Sequence, residues 1–435
     1  MSTLLQDEPG TLHTTRFHVD GERRSVLILN QAFYPDVVST AQHTTDLARA
    51  LVEAGHKVTV LTGARAYDNP ARKFPHRERW HDIDIIRVNS TSFGKNARWR
   101  RAVDFGSYMT ACAARMALLP RYDLVIALTS PPLISWLASL MVPLKAEALL
   151  FWAMDLNPDE AIAAGWLRED SIPGRTFSAM QLQSMRRAVR IVALDRFMRE
   201  RMIAKGLGAD KVEVISPWAH DPVRYDAAGR REFRERLGVA DKFVVMYSGN
   251  HSPVHPLETV VEAARRLQSD GRIVFCFVGG GSEHRRLQAV ARDQNLRNFV
   301  FAPYQPLENL GASLSAADLH LVVMGEPFVG IIHPCKIYNV LRVGAPVLYI
   351  GPSPSHITDI FAELNSDHVY TARHGAVDAA VSQITEAAAR AHFCDARHVS
   401  FAERFSHRSL MPCMLDAVQS AFATQATPAE ASFSL

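Results

Sequence analysis

Short apolar runs alternate with amphipathic segments along most of the chain. The run "SVLILN" (25–30) is followed by a loop and then by a segment in which apolar residues recur at helical spacing up to "EAGHK". The next apolar run, "VTVLTG", completes the pattern of a β-α-β unit. Five further strand-like runs continue the alternation: "IDIIRV", "DLVIALTS", "EALLFWAMD", "RIVALD" and "VEVIS". This order is typical of a parallel sheet covered by helices.

The same alternation restarts at residue 242. The strand-like runs are now "FVVMYSGN", "IVFCFVGGGSE", "FVFAPY", "LHLVVMG" and "APVLYIG", and the helical segment "PLETVVEAARRL" separates the first two. We therefore predict an α/β protein in which two Rossmann-like, doubly wound domains face a central cleft. Ligands of such sheets bind beyond the carboxyl ends of the strands, so we expect the functional residues in the loops at this cleft.

The pattern also predicts where the domains begin and end. We expect a flexible tail over residues 1–24, a first domain over 25–215, a linker over 216–241, a second domain over 242–400 and a C-terminal helix over 401–423.

Composition narrows the class of protein. The 435 residues are enough for two domains with their own cores, and the formal net charge of +3 is too small to indicate a nucleic-acid binder. The five cysteines form no C-x-x-C pair, so we expect neither a disulfide framework nor a thiolate metal site, and we infer a reducing, cytoplasmic compartment. The N-terminal residues do not resemble a signal peptide. The longest uncharged run, "LISWLASLMVPL", has about half the length of a membrane span, so we expect no transmembrane helix.

One lysine stands out in the segment "GEPFVGIIHPCKIYNVLRVGAPVLYIGP" (325–352). Apolar residues at helical spacing follow Lys336, and Gly344 ends the pattern before a buried strand, so Lys336 is predicted in the first turn of a helix. A helix dipole disfavours a cation there by about 0.3–1 kcal/mol unless an anion occupies the same place. Lys336 therefore indicates either a phosphate site or a solvated lysine at the start of a helix.

Five segments, in this order and spacing, resemble a known family. They are "FYPDVVSTAQHTTDLARALVEAGHKVTVLTG", "AMDLNPDEAIAAG", "MYSGNHSPVHPLETVVEAARRL", "FVGGGSEHRRLQ" and "HPCKIYNVLRVGAPVL". Together they resemble the GT-B-fold retaining glycosyltransferases of family 4, and most of all the bacterial branch that builds surface polysaccharides. The resemblance implies a nucleotide-sugar donor on the second domain, an acceptor on the first and transfer of a hexose-type sugar with retention of configuration. It also implies that the C-terminal helix crosses back onto the first domain.

The expected donor site lies around Lys336 and two glycine-bearing loops. Amides of the loop before Lys336 can point at a phosphate while the lysine supplies a positive charge, and the resemblance places a phosphate-binding lysine at this position. His255 is either a second phosphate contact or a loop histidine packed beside Pro256, and Gly280 either contacts the nucleotide or lies in a tight turn. The predicted donor-binding residues are Gly249, Asn250, His255, Gly280, Ile331, Ile332, Tyr338 and Asn339.

The chain departs from the family at the E-x7-E pair, because Ile331 and Asn339 occupy the two glutamate positions. The second glutamate is the family's ribose-binding residue. An asparagine offers one acceptor oxygen where a carboxylate can accept from both ribose hydroxyls. We expect weaker ribose contacts, helped by Tyr338. Two alternatives to a transferase remain: a nucleotide-sugar 2-epimerase on the same fold, and a catalytically silent nucleotide-sugar-binding protein.

Four residues of the first domain are candidates for contacts with the sugar or the acceptor. Ser39 and Thr40 follow the first strand, where relatives carry small residues beside the sugar, and Ser130 ends another strand at the same cleft. The segment "WAMDLNPDEA" resembles the family's D-x-W-P-E motif and begins it with Asp155. Asp155 either orients the acceptor or the transferred sugar, or caps the next helix. Lys336 and Asp155 are the predicted catalytic residues.

We expect no metal and no other cofactor. The sequence Asp82-Ile83-Asp84 matches the D-x-D metal motif of a different glycosyltransferase fold, but it opens a strand too early in the chain. A basic stretch with interleaved aromatic residues runs through Arg65, Arg72, Lys73, Arg77, Arg79 and "KNARWRR" (95–101). It is either a solvated face or a surface for anionic lipid at the cytoplasmic face of the inner membrane, where a lipid-diphosphate-linked acceptor would lie.

Overall fold

The computed structural model describes residues 23–36, 38–66, 71–93, 98–390 and 394–424. The tail predicted over residues 1–24 lies outside these ranges except for Arg23 and Arg24, and part of the basic segment 95–101 lies outside them as well.

Within the described residues, eight strands form the first sheet: β1 (Ser25–Leu29), β2 (Lys57–Gly63), β3 (Arg77–Trp80), β4 (Ile83–Val88), β5 (Tyr122–Ala127), β6 (Ala146–Trp152), β7 (Arg190–Ala193) and β8 (Val212–Val214). Their order is β3-β4-β2-β1-β5-β6-β7-β8, and only β3 runs antiparallel to its neighbour. The central strands are buried on both faces, which explains their continuous apolar runs.

In the described part of the first domain, six α-helices accompany these strands: α1 (Ser39–Glu53), α2 (Arg98–Leu118), α3 (Ile134–Lys145), α4 (Asp159–Ala163), α5 (Ile172–Arg187) and α6 (Arg196–Ala204). Strand β3 was not predicted, because its sequence "RERW" carries no apolar pattern. Its pairing with β4 and the stacking of Trp80 on Tyr34, with ring centres 4.0 Å apart, hold it at the edge of the sheet. Charged side chains suit such an exposed edge.

The second sheet has six parallel strands in the described part of the chain: β9 (Phe243–Asn250), β10 (Ile273–Gly280), β11 (Phe299–Ala302), β12 (Leu319–Val323), β13 (Val347–Ile350) and β14 (Val369–Ala372). Their order is β11-β10-β9-β12-β13-β14, so the direction of winding reverses between β9 and β12. This reversal is the switch point at which doubly wound sheets bind ligands. The predicted fold of two Rossmann-like domains is confirmed.

Nine helices complete the described chain: α7 (Ala227–Arg236), α8 (Glu258–Arg266), α9 (Ser282–Asp293), α10 (Leu307–Ser315), α11 (Lys336–Arg342), α12 (His356–Leu364), α13 (Val377–Ala389), α14 (Ala396–Ala402) and α15 (His407–Ala423). Much of the segment predicted as a linker is helix α7, which packs against α10. Its Phe233 is buried with residues of the second sheet, so α7 belongs to the second domain.

Helix α15 packs against α1, β5, β6 and β7 of the first domain. A continuous apolar cluster joins the two domains and includes Trp218 of the connecting segment, Ile337 of α11 and Met411 of α15. The contact between the domains is therefore partly a shared hydrophobic core. Among the described residues, no helix combines the length and the apolar character needed to cross a bilayer.

Candidate active site

Lys336 lies at the switch point of the second sheet. It begins α11, as predicted, and its side chain reaches beneath β9, where Nζ lies 3.5 Å from the centre of the Tyr247 ring. The ammonium is buried, and it has no hydrogen-bond partner among the described residues. Burial lowers the pKa of Lys336 to about 7. A buried cation that lacks an acceptor is costly, so this position favours an anion from outside the chain.

Because Gly249 has no side chain, there is room beside it for the ammonium group of Lys336. Its φ of +122° is in the region that favours glycine, and a Cβ added there would lie 3.4 Å from the Nζ of Lys336. The loops after β9 and β10 also pack backbone against backbone, because a Cβ at Gly279 would lie 2.1 Å from the carbonyl oxygen of Gly249. A Cβ at Gly280 would meet the ring of Tyr304 at 3.0 Å. The glycine run therefore has a packing role, and a contact of Gly280 with a nucleotide stays a prediction.

The histidines of the loop after β9 are buried rather than solvated. His255 donates from Nδ1 to the carbonyl oxygen of Val323 at 2.7 Å, and burial, helped by the charge of Lys336, lowers its pKa to about 3. His255 is thus neutral at physiological pH, and its ring is held by the backbone of β12. Asn250 is exposed, and its carbonyl oxygen accepts from the hydroxyl of Tyr247 at 2.9 Å. Phosphate contacts of His255 and Asn250 stay predictions.

The loop before Lys336 differs from expectation. Ile331 and Ile332 are buried, and both of their amides donate to the carbonyl oxygen of Phe328, at 3.0 and 3.1 Å. This corrects the expectation that these two amides point at a phosphate, because the turn they close already uses them. The charge of Lys336, rather than the amides of Ile331 and Ile332, is what this side of the site offers to an anion.

Helix α11 is fixed to its surroundings by the two residues predicted to contact ribose. Asn339 accepts at Oδ1 from the amide of His220 at 2.9 Å, which ties α11 to the segment between the domains. Tyr338 is 1% exposed, and its hydroxyl is hydrogen-bonded to Nε2 of His333 at 2.7 Å. Both side chains therefore have structural partners here, and their contacts with a ribose stay predictions.

Ser39 of the first domain faces the same point from across the cleft. Its hydroxyl lies 3.6 Å from the sulfur of Cys335, the residue before Lys336, and 3.3 Å from Nδ1 of His43. Thr40 follows it in the first turn of α1, where its carbonyl oxygen accepts from the hydroxyl of Thr44. The structure thus brings Ser39 next to the start of α11, while Thr40 lies one residue further along α1.

Asp155 also lies at this cleft. Its burial and the nearby Glu160 carboxylate raise its pKa to about 7, and it is close enough to Cys335 to raise the pKa of that thiol. Helix α4 begins after Pro158 without a side-chain cap, so Asp155 does not have the capping role that was its alternative. Ser130 lies in the loop between β5 and α3, and its carbonyl oxygen accepts from the amide of Gln31 at 2.6 Å. Catalytic and sugar-binding roles of these residues stay predictions.

A cluster that the sequence did not reveal lies beside this site, where Asp195 meets His333 and His356. One ligand atom from each residue lies within 4.8 Å of the others, a spacing that a metal ion could bridge. The two imidazole rings, however, are stacked with centres 3.9 Å apart, and Nδ1 of His333 donates to Asp195 at 2.8 Å. A nitrogen lone pair lies in the plane of its ring, so two nearly parallel rings at this separation cannot both direct a lone pair at one ion. The geometry fits a hydrogen-bonded cluster and not a metal site.

A cavity of about 580 Å³ opens between the domains, where α4 faces the loops after β9 and β12, and Pro253, Glu326 and His374 are among its lining residues. Lys336 and Asp155 do not line it. We place the candidate site at Lys336 because its buried amine lacks a hydrogen-bond partner among the described residues, which is a more specific feature than the volume of the cavity.

Comparison with known proteins agrees with this architecture. The model of the Glycosyl transferase 4-like domain matches residues 40–218, and that of Glycosyl transferases group 1 matches residues 229–329. The chain is 24% identical over 341 residues to a protein of Escherichia coli K12 named as the colanic acid biosynthesis glycosyl transferase WcaI, covering 73% of this chain and 81% of that one. It is 26% identical over 251 residues to the glycosyltransferase WbjE of Pseudomonas aeruginosa, covering 56% of this chain and 61% of that one.

Solved structures of similar fold include sucrose-phosphate synthase from Thermosynechococcus elongatus, with a TM-score of 0.73 and 16% identity over 92% of this chain and all of that one. HepE of Anabaena has a TM-score of 0.67 and 14% identity over 92% of this chain and all of that one. The two family models, the fold and the five sequence segments agree, and the chain belongs to the GT-B-fold glycosyltransferases of family 4.

Proposed function

We propose that this glycosyltransferase moves a hexose-type sugar from a nucleotide-sugar donor to a glycan or a lipid-diphosphate-linked acceptor. We also propose that it retains the anomeric configuration, as the family resemblance implies, and that it needs no metal or other cofactor. The observation that carries the proposal is the buried ammonium of Lys336, which has no acceptor among the described residues and lies where doubly wound sheets bind ligands.

The chemistry of such a donor matches this site. When a sugar leaves a nucleoside diphosphate, negative charge develops on the diphosphate and must be stabilised by a metal or by fixed cations and donors. With the diphosphate bound, the amine of Lys336 takes up a proton and supplies a cation in a place from which water is largely excluded, where electrostatic interactions are strong. The likeness to HepE, which was crystallised with UDP-glucose and with UDP and glucose, supports a nucleotide-sugar as the donor.

Asp155 suits a contact with a sugar hydroxyl. With a pKa near 7 its carboxyl group is present in both protonation states at physiological pH, so it can donate or accept a hydrogen bond. The charges of Lys336 and Asp155 shift the pKa of the Cys335 thiol in opposite directions, so both groups lie near that residue. We propose that Lys336 holds the diphosphate while Asp155 orients the transferred sugar or the acceptor.

The acceptor proposal rests on the first domain and on the relatives. WcaI is named for colanic acid biosynthesis, which supports a glycan or lipid-linked acceptor. The basic residues Arg72, Lys73 and Arg77 are exposed, and Phe93 is 52% exposed on the same domain. We propose that this face contacts anionic lipid, which would place the protein at the cytoplasmic face of the inner membrane.

A two-step experiment tests this function. A thermal-shift screen of the purified protein against a panel of nucleotide sugars identifies the donor, and NMR of the product formed with lipid-linked and glycan acceptors reports the configuration of the new linkage. A retained linkage on a second molecule is the expected result. Isomerisation of the nucleotide sugar without an acceptor would favour the 2-epimerase, and binding without any turnover would favour the silent binder.

A further inference from the structure

The loop before Lys336 is held by the first domain. The amide of Leu156, next to Asp155, donates to the carbonyl oxygen of Ile331 at 3.0 Å. Two residues earlier, the carbonyl oxygen of Val329 accepts from the guanidinium of Arg201 at 3.2 Å. The loop belongs to the second domain, so these hydrogen bonds cross the cleft.

Gly330 lies against the backbone of the first domain in the same loop. Its φ is +68°, and a Cβ added there would lie 2.6 Å from the carbonyl oxygen of Phe197 and 3.0 Å from the amide nitrogen of Met198. Backbone of the loop therefore lies directly on backbone at the beginning of α6. Only glycine permits this approach without a shift of one domain against the other.

Asp195 connects this interface to the helix that carries Lys336. It is 6% exposed; its Oδ1 caps α6 by accepting from the amide of Met198, and its Oδ2 accepts from Nδ1 of His333. His333 in turn is hydrogen-bonded through Nε2 to Tyr338 of α11. One buried carboxylate of the first domain thus fixes the end of the loop and, through Tyr338, the first turn of the helix that Lys336 begins.

We propose that Asp195 is a positioning residue that couples the closed arrangement of the two domains to binding of the donor diphosphate. The inference rests on the proposed function, in which Lys336 holds that diphosphate. Asp195 can hold the end of the loop and the first turn of α11 only while the domains are in contact, so an anion that binds at Lys336 in this turn favours the closed arrangement. By thermodynamic reciprocity, a change that weakens the contact at Asp195 must weaken binding of the anion.

Two substitutions separate this role from helix capping. Serine is as good an N-cap as aspartate, but its side chain is too short to reach His333, so Asp195→Ser removes the contact between the domains and keeps the cap. Asparagine keeps both the cap and a polar group opposite His333, so Asp195→Asn should recover much of the loss. Asp359→Asn is a matched control, because it breaks another ion pair between the domains, Arg196 with Asp359, which is partly exposed and does not touch the loop.

The test measures binding of UDP, GDP, ADP, CDP and dTDP by calorimetry and follows the tightest of them. We expect Asp195→Ser to bind it about ten- to a hundred-fold more weakly than wild type, Asp195→Asn to lie between the two, and Asp359→Asn to stay within about two-fold. Melting temperatures verify that the variants are folded. In hydrogen exchange, the nucleotide should slow exchange at the beginning of α6 in wild type and not in Asp195→Ser.

Wild-type affinity in a folded Asp195→Ser variant would overturn this inference and leave the proposed function intact. An equal loss of affinity in the Asp359→Asn control would also overturn it, because the effect would then follow from the loss of any contact between the domains and would not be specific to Asp195. A wild-type protein that binds none of the five nucleotides would overturn the proposed function and this inference with it.

Discussion

The ammonium of Lys336 lies 3.5 Å from the centre of the Tyr247 ring, so the face of an aromatic ring stands where a buried lysine usually has a carboxylate. A desolvated cation–π contact of this kind is worth about 2 kcal/mol, which offsets only part of the cost of burying a charge. Tyr247 is on β9 and Lys336 follows β12, the two strands that meet at the switch point. Because burial lowers the pKa of Lys336 to about 7, the amine is only partly charged near neutral pH, and a bound anion would stabilise its charged form.

We expect Lys336→Met to remain folded and to lose about ten- to a hundred-fold in kcat/KM. The reason is that a charge-assisted contact with a phosphate contributes about 1.5–3 kcal/mol, while methionine fills a similar volume in the buried site. Steady-state kinetics with the donor identified by the screen measures the loss. Lys57→Met, at an exposed lysine, is the control, and unchanged kinetics in Lys336→Met would show that the lysine is not part of the site.

Binding of the donor should take up a proton near pH 8. Lys336 has a pKa of about 7 in the free protein, lowered from the usual 10.5, so above pH 7 its amine is mostly neutral. A bound diphosphate favours the charged form and raises the pKa, so affinity should fall as pH rises above 7, by at most about ten-fold per pH unit. The nucleotide sugar itself does not titrate in this range.

Calorimetry in two buffers with different enthalpies of ionisation counts the protons. The Lys336→Met variant should show no uptake from this site. Binding to wild type without proton uptake at pH 8 would contradict the assignment of the diphosphate to Lys336.

Transfer should not depend on a divalent metal. If the cation of Lys336 and fixed dipoles stabilise the leaving diphosphate, EDTA should leave the rate nearly unchanged, and added magnesium or manganese should not raise it. Initial rates after dialysis against chelator test this. Loss of activity in EDTA with recovery on addition of manganese would contradict the proposal that transfer needs no metal.

Substitution of Asn339 by glutamate should change donor affinity by less than about ten-fold. A carboxylate can accept from both ribose hydroxyls, but its charge opposes binding of the diphosphate, and the two effects of about 1–2 kcal/mol each nearly cancel. The present Oδ1 also accepts from the amide of His220, which a carboxylate can do as well. If calorimetry finds no donor bound to wild type and clear binding to Asn339→Glu, the donor site of the wild-type protein has lost its function. The catalytically silent protein is then the better interpretation.

The exposed basic residues of the first domain should bring it to anionic vesicles. Each lysine or arginine near such a surface contributes about 1 kcal/mol, so the combined change of Arg72, Lys73 and Arg77 to glutamine should abolish co-sedimentation at low salt. Wild-type binding should weaken as salt is added, because salt screens these charges. The same triple change made at Arg285, Arg292 and Arg297 of the second domain is the control. If the protein co-sediments equally with anionic and neutral vesicles, the basic stretch is better interpreted as a solvated face.

Much of the architecture could be predicted from the sequence because it depends on the spacing at which apolar residues recur within each short segment. Short apolar runs such as "SVLILN" and "FVVMYSGN", bounded by turn residues, are typical of buried strands, and the helical spacing after Lys336 placed this lysine in the first turn of α11, where the structure has it. Strand β3 was missed because its pairing, and not its pattern, makes it a strand. Helix α7 was read as a linker, although its Phe233 is buried in the second domain.

What the sequence by itself determined is therefore the two sheets, the loops at their carboxyl ends and the presence of a cation at one of them. Tertiary structure alone decided what surrounds that cation. Nothing in the sequence places Tyr247 under Lys336, turns the amides of Ile331 and Ile332 onto Phe328, or joins Asp195 to His333 across 138 positions of the chain. Such contacts depend on how two separately wound sheets pack together. The spacing of apolar residues along the chain indicates only which face of each helix or strand is buried.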